Sequence, residues 1–272
     1  MNILLQALEK SPEYQQLLDA ISRGSVAAVS GLSQITRSHF LAALHAKSSR
    51  PSVFLVQDEL AASRLQEELE SFLGVQIPIL PERELTFVEA SGVSRQWEQK
   101  RLKLLYDLAT GKLPLLIASF GAMALRTMPR AVLFSASILL RVGASFTPED
   151  LIERLTQAGY SRTTLVEGVG QFALRGGILD VWSPLSAPVR VEFFDDEVDA
   201  MGEFDVTTQR RTQNVKSLTV LPAAEVLPAL SDGGREKMLE RLSRAAQKIE
   251  KKAADSPIVK TLRGDIERLA ND

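Results

Sequence analysis

The stretch Phe172-Ala-Leu-Arg-Gly-Gly-Ile-Leu-Asp-Val-Trp-Ser-Pro184, resumed at Val189-Arg-Val-Glu-Phe-Phe-Asp-Asp-Glu-Val198, decides the fold of the second half of the chain. Its segments Phe172–Arg175, Ile178–Trp182 and Val189–Phe194 alternate, which sends successive side chains to opposite faces of a strand. Gly176-Gly177, Ser183-Pro184 and Asp195-Asp196 are turn residues between the runs. Short turns join neighbouring strands antiparallel, so the reading is an α+β domain built on an antiparallel sheet. Just upstream, Thr147-Pro148 opens a short helix, Thr147 as its cap and Pro148 in its first turn.

Toward the N-terminus the pattern changes. Ser11-Pro12-Glu13 is a helix start, with Tyr14, Leu17, Leu18 and Ile21 at helical spacing and Arg23-Gly24 as the stop. The apolar run Val26-Ala-Ala-Val29 reads as a strand, Ser30 to Ser38 as a loop, and Phe40, Leu41 and Leu44 as one face of a helix. The unit then repeats. Val53-Phe-Leu-Val56 reads as a buried strand, and Asp58 caps a helix with Leu60, Leu65, Leu69 and Phe72 on its apolar face. Two strand–loop–helix units in succession predict a parallel sheet, so the first half is α/β. A basic helix from about Ser94 to Ala109 leads into a third buried strand, Leu113 to Ala118. After Gly234 the chain returns to helix, through Met238, Leu242 and Ile249, with a final segment from Pro257 to Leu269.

Composition excludes several functions. The chain has 272 residues, 45% of them hydrophobic, which is enough for real cores. Its formal charge is −2, without the basic excess of a dedicated nucleic-acid binder. It has no cysteine, so no disulfide and no thiolate metal site. The two histidines, His39 and His45, stand six apart on one predicted helix, whereas a helical metal pair needs three or four; no metal site is expected. Met1-Asn-Ile-Leu-Leu-Gln lacks the basic start and long apolar core of a signal peptide. No apolar run approaches the roughly 18 residues of a membrane span, so the expectation is a soluble, cytoplasmic protein.

The segment Gly31-Leu-Ser-Gln-Ile-Thr-Arg-Ser38 lies where a phosphate-binding loop belongs, between a predicted strand and a helix. The working pattern is G-x-x-x-x-G-K-[ST]. Gly31 and Ser38 fit it; Thr36 replaces the second glycine and Arg37 the lysine. A β-branched residue resists the backbone turn that aims amides at phosphate. A broad guanidinium does not substitute for the compact ammonium between β- and γ-phosphates. No apolar run passes directly into Asp-Glu to hold magnesium. No catalytic residue and no cofactor are therefore expected. The segment reads as an ordinary strand–helix loop, with weak anion binding at the helix start as the alternative.

The longest ordered signal is Arg175-Gly-Gly-Ile-Leu-Asp180, Arg190-Val-Glu-Phe-Phe-Asp-Asp-Glu-Val-Asp199, Phe204-Asp-Val206 and Thr208-Gln-Arg210. It resembles the module shared by the excision-nuclease subunit UvrB and the bacterial transcription-repair coupling factors (Mfd), and it looks more like the latter. The resemblance extends along nearly the whole chain. UvrB keeps an intact phosphate loop where Gly31 stands; its loss is what the coupling factors show. The resemblance implies a vestigial motor-like (RecA/helicase-like) parallel-sheet domain over 1–126. An inserted UvrA-binding α+β domain follows over 127–212, and a return segment over 213–272. It also implies an N-terminal fragment of a longer protein, followed in full by RNA-polymerase-binding and translocase domains.

In that family the inserted domain docks on UvrA, the damage-recognition ATPase. Carried over position by position, the implied UvrA-binding residues are Arg162, Phe172, Arg175, Arg190, Glu192 and Phe194. Arg190 and Glu192 share one strand face with Phe194, while Val191 and Phe193 point the other way. UvrB has a further arginine two residues before Arg175; here the residue is Ala173. Arginines beside an exposed aromatic suit a protein interface. The alternative is solvated edges or local ion pairs to Asp195, Asp196 or Glu197.

DNA binding by the inserted domain is not expected, because Tyr160–Arg211 holds five arginines against nine acids. Ser91–Arg130 carries seven basic residues against Glu98 and Asp107, read as a solvated helix face with DNA contact as the alternative. The place of UvrB's aromatic damage-probing hairpin, Leu85 to Val93, has a single aromatic, Phe87, and no stacking platform. Two other functions stay open: an autoinhibitory element masking a motor, with Asp195, Asp196, Glu197 and Asp199 supplying contacts, and a UvrB-like ATP-dependent helicase or nuclease subunit.

Overall fold

The computed structural model describes residues 3–48, 50–82, 96–253 and 256–271. The chain divides into two compact units, Met1–Glu82 with Leu104–Arg126, and Arg83–Lys103 with Thr127–Asp272. Together they form a mixed α/β protein with one parallel and two antiparallel sheets. The stretch Leu85–Val93 lies outside the described residues.

In the first unit, α1 (Ile3–Ala7), α2 (Pro12–Ser22) and α3 (Gln34–Lys47) precede β1 (Ser52–Val56), α4 (Glu59–Leu73) and β2 (Ile79–Leu80). The second half of α5 (Gln96–Ala109), β3 (Leu115–Ser119) and α6 (Phe120–Ala124) complete it. Helix starts follow the sequence signals: Ser11 accepts from Tyr14 N with Pro12 behind it, and Asp58 accepts from Ala61 N at 2.8 Å. Gly74, left-handed at φ 68°, ends α4. The sheet is parallel in the order β1-β3-β2, with Ile117 opposite both Phe54 and Ile79. All of β3 is buried, as a strand covered on both faces must be. Leu115 and Ile117 pack with Phe40, Ala43, Leu65 and Leu69, while Leu116 and Ala118 pack with Leu80 and Leu104.

The expected strand at Val26–Val29 is not one. Residues 25–30 are exposed coil, and among the described residues no strand pairs with them. Two of the four residues are alanines, which offer a sheet little surface to bury, so a short apolar run is weak grounds for a strand.

In the second unit, α7 (Arg130–Ala136), β4 (Ile138–Arg141) and α8 (Pro148–Gln157) lead into a sheet of β5 (Ser161–Arg162), β6 (Gln171–Arg175), β7 (Ile178–Val181), β8 (Val189–Phe194), β9 (Glu197–Phe204) and β10 (Arg211–Asn214). Its order is β10-β9-β8-β7-β6-β5, antiparallel throughout except for β5 against β6. Thr147 caps α8 by accepting from Asp150 N, and Leu151 and Leu155 of that helix cover the inner sheet face. There they meet Phe172, Leu179, Val181, Val189 and Val191. Each such side chain, fully buried, contributes about 1.5–3 kcal/mol.

The segment after 212, expected to return to the first domain, belongs to this unit. β11 (Ser217–Val220) pairs antiparallel with β4, Leu218 opposite Leu140, and the buried Tyr160 hydroxyl donates to Leu221 O at 2.6 Å. Ala223 N donates to Ala158 O. Two final helices, α9 (Gly234–Glu250) and α10 (Pro257–Asn271), pack as a hairpin tied by Arg263 to Glu250 at 2.6 Å.

The basic face expected on α5 is interrupted. Arg101 is buried and paired with the buried Glu225 at 3.1 Å. Beside it Gln99 donates to Val169 O, and Glu98 accepts from Glu225 N at 2.6 Å. Arg101 therefore belongs to the core of the second unit, and neither water nor DNA reaches it.

Candidate partner-binding face

The outer face of the six-stranded sheet, opposite α8, is built as two rows across four strands. In the first row Ala173, Asp180, Arg190 and Gly202 stand opposite one another on β6, β7, β8 and β9. In the second row the succession is Arg175, Ile178, Glu192 and Ala200. The rows are two residues apart, so they share a face by the pleat alone. Their environments differ sharply.

The first row is closed. Asp180 is 0% exposed, yet it accepts from Arg190 Nε at 2.7 Å, Arg190 Nη2 at 2.9 Å and Arg175 Nη2 at 2.6 Å. Arg190 also donates to the backbone oxygen of Gln209 at 3.2 Å and to its side-chain oxygen at 3.1 Å. Its guanidinium lies 4.8 Å from the centroid of Phe204. Asp180 holds this guanidinium charged, raising its pKa chiefly through the hydrogen bonds. Gln209 reaches both positions because it is left-handed, at φ 59°. The turn that allows this is fixed by Asp205, which accepts from Thr208 N at 2.7 Å and Thr208 Oγ1 at 2.9 Å. Ala173 is buried with Val166 and Phe204 in a small apolar cluster, where a longer side chain meets that packing.

The second row is open. Arg175 is 48% exposed and spends one hydrogen bond on Asp180, leaving other donors to solvent. Ile178 is 38% exposed and Phe194 75%. Glu192 is paired with Arg211 of β10 at 3.2 Å. Arg211 lies across Gly202: a Cβ there would stand 2.0 Å from its Nε.

The structure thus sorts the six implied contact residues. Arg175, Glu192 and Phe194 share one accessible face. Arg190 shares that face but is consumed by Asp180 and Gln209. Phe172 is fully buried among Leu179 and Val181 on the opposite side, so it builds the sheet and presents no surface. Arg162 is exposed on the two-residue β5, in register with Phe172. That register sets it apart from the Arg175 face.

The ion pairs go to Asp180, and not to Asp195, Asp196 or Glu197 as sequence proximity suggested. The signal for Asp180 was available: Leu179 and Val181 point inward, so Asp180 faces the arginines. That it is buried was not legible.

The segment Gly31–Ser38 is exposed from Ser33 to Arg37 and is already helix from Gln34. Gly31 is left-handed at φ 80°, but Ser33 already caps α3 by accepting from Thr36 N. Thr36 and Arg37 therefore lie inside the helix. Ser38 is buried and donates to Glu68, which also accepts from Gln34 Nε2 at 3.0 Å. Among the described residues no group of three or more His, Asp or Glu is placed to hold a metal, and no helix is long and apolar enough to cross a membrane.

Residues 138–226, from β4 to just past β11, match the family described as the UvrB interaction domain. The transcription-repair-coupling factor of Myxococcus xanthus is 35% identical over 228 residues, covering 79% of this chain and 19% of that protein. The chain is homologous to the transcription-repair coupling factors. The Bacillus subtilis (strain 168) coupling factor is 28% identical over 269 residues, 97% of this chain and 23% of that protein. That of Staphylococcus aureus (strain MRSA252) is 28% identical over 228 residues, 84% of this chain and 19% of that protein. The chain spans about a fifth of the length of the curated coupling factors it matches. The two rows of the outer face fall inside the matched interaction domain.

Proposed function

We propose that this chain is a non-catalytic interaction module of a transcription-repair coupling factor, and that the outer face of its six-stranded sheet docks UvrA. By that contact the module recruits UvrA to stalled transcription for nucleotide excision repair. The observation that carries the reading is the interaction-domain match over 138–226, with Arg175 half-exposed on that domain's open row. A guanidinium already oriented by one carboxylate, with donors to spare, is suited to a second carboxylate from a partner. Glu192 and Phe194 complete the contact, and Arg162 adds charge at the sheet edge.

The first unit is the vestigial motor domain in this reading. Ser38, the residue a working loop uses for magnesium, gives its hydroxyl to Glu68. Thr36 and Arg37 sit in helix where glycine and lysine are needed. Nucleotide turnover by this chain is not part of the proposal.

The test is binding of the chain to purified UvrA, without DNA or nucleotide, for the wild type and for Arg175→Glu. Micromolar or tighter binding, lost in the variant while its circular dichroism is unchanged, supports the reading. Absence of binding by the wild type sinks it.

A further inference from the structure

Ile178, which is outside the implied contact set, stands in the open row near Phe194, which is inside it. Ile178 lies between Arg175 and Glu192, directly opposite both in register. Phe193 N donates to Gly177 O at 2.8 Å, so β7 and β8 stay paired up to the turn and Phe194 lies diagonal to Ile178. Opposite Phe194 on β9 stands Glu197, and Phe194 itself is three-quarters exposed. Diagonal neighbours on one face are within reach of an aromatic ring. Arg211 closes the other flank, laid flat across Gly202 and held by Glu192.

The local charge differs from that of the domain around it. Arg175, Asp180, Arg190, Glu192, Arg211 and Glu197, the residue opposite Phe194, sum to zero (three cations, three anions), whereas Tyr160–Arg211 as a whole sums to −4. The positive groups that retain free donors, Arg175 and Arg211, bracket the apolar pair. Such a centre with a charged rim is the anatomy of an interface hot spot.

We infer that Ile178 and Phe194 form the apolar centre of the docking face, with Arg175 and Arg211 as its rim. The matching patch on the partner is an apolar side chain flanked by carboxylates. The inference rests on the UvrA reading above and specifies its chemistry.

The experiment measures UvrA binding by the whole chain for Ile178→Ala, Phe194→Ala, Arg211→Ala and Arg175→Glu at low and high salt. Each alanine at the centre is expected to weaken binding by about tenfold at either salt, a hot-spot loss. The Arg211→Ala loss is expected to shrink as salt rises, because exposed charge is screened. Ile178→Val and Phe194→Leu, which keep the apolar surface, should restore most of the affinity. Wild-type affinity in Ile178→Ala and Phe194→Ala, with binding lost in Arg175→Glu, overturns the apolar centre and leaves the UvrA reading standing. No binding by the wild type overturns both. Should Ile178→Ala fold poorly, the three-quarters-exposed Phe194 carries the test alone.

Discussion

Asp180 grips Arg190 with two hydrogen bonds, 2.7 Å to Nε and 2.9 Å to Nη2, from a side chain that no solvent reaches. A carboxylate in that position must be paired, and Arg190 is in turn satisfied by Gln209. The pair is therefore a strut of the sheet, and the half-exposed Arg175 is the arginine that keeps donors facing solvent. Breaking a buried pair costs about 3–5 kcal/mol, whereas an exposed pair is worth about 0–1 kcal/mol. Arg190→Ala and Asp180→Ala are thus expected to lower urea-unfolding stability by about 3 kcal/mol or more, and Arg175→Ala by less than about 1. Equal losses for the two arginine variants would remove the distinction between strut and contact.

Tyr160 gives the second prediction. Its hydroxyl donates to Leu221 O at 2.6 Å in a buried site, and burial pushes its pKa well above the usual phenol range. It ties the strand after α8 to the segment after β11. Tyr160→Phe keeps the ring and orphans the carbonyl, which costs about 1–3 kcal/mol. A drop of that size in the unfolding free energy of the second unit, with an unchanged far-ultraviolet spectrum, is the expected result. No drop would mean that Leu221 O finds another donor.

Much of this was legible in the sequence, for physical reasons. Ser11, Asp58 and Thr147 sit before apolar periodicity, and all three cap helices as read. The alternation of Val189 to Phe194 set the faces of β8 correctly, because the pleat has a fixed period. Val26–Val29 failed because a four-residue apolar run carries no information about a pairing partner. Family position puts Phe172 in the implied contact set, although the alternation that points Leu174 inward also buries Phe172. The Asp180 hub and the Arg101–Glu225 pair join residues by register or across 124 positions, and no local pattern announces either.

The Arg101–Glu225 pair supplies the third prediction. Both side chains are nearly inaccessible, at 1% and 5% exposure. Removing one partner strands the other charge, at a cost of about 3–5 kcal/mol. Replacing both with apolar residues of similar size removes that penalty. Arg101→Met alone should therefore be much less stable than the double variant Arg101→Met with Glu225→Leu. A double variant as unstable as the single would show that the neighbouring Glu98 and Gln99 contacts depend on the charges.

His45 offers a pH test confined to the first unit. Its Nδ1 lies 3.0 Å from Ser52 Oγ, at the C-terminal end of α3, and burial holds its pKa below the ordinary 6.5. The folded state thus prefers the neutral ring, and the unfolded chain binds the proton more readily. Stability from this group is complete above about pH 6.5 and is lost as pH falls below it toward the depressed folded value. Glu13, held below the usual carboxylate range by its hydrogen bond from Ser11, loses its contribution only at lower pH, beneath its ordinary 4.5. The two windows are therefore separable. Thermal midpoints between pH 7.5 and 5 should fall for the wild type and fall less for His45→Gln, which keeps a polar group near Ser52 and has no titration in that range. Parallel curves for the two proteins would assign the loss to other groups and leave His45 without a role in acid sensitivity.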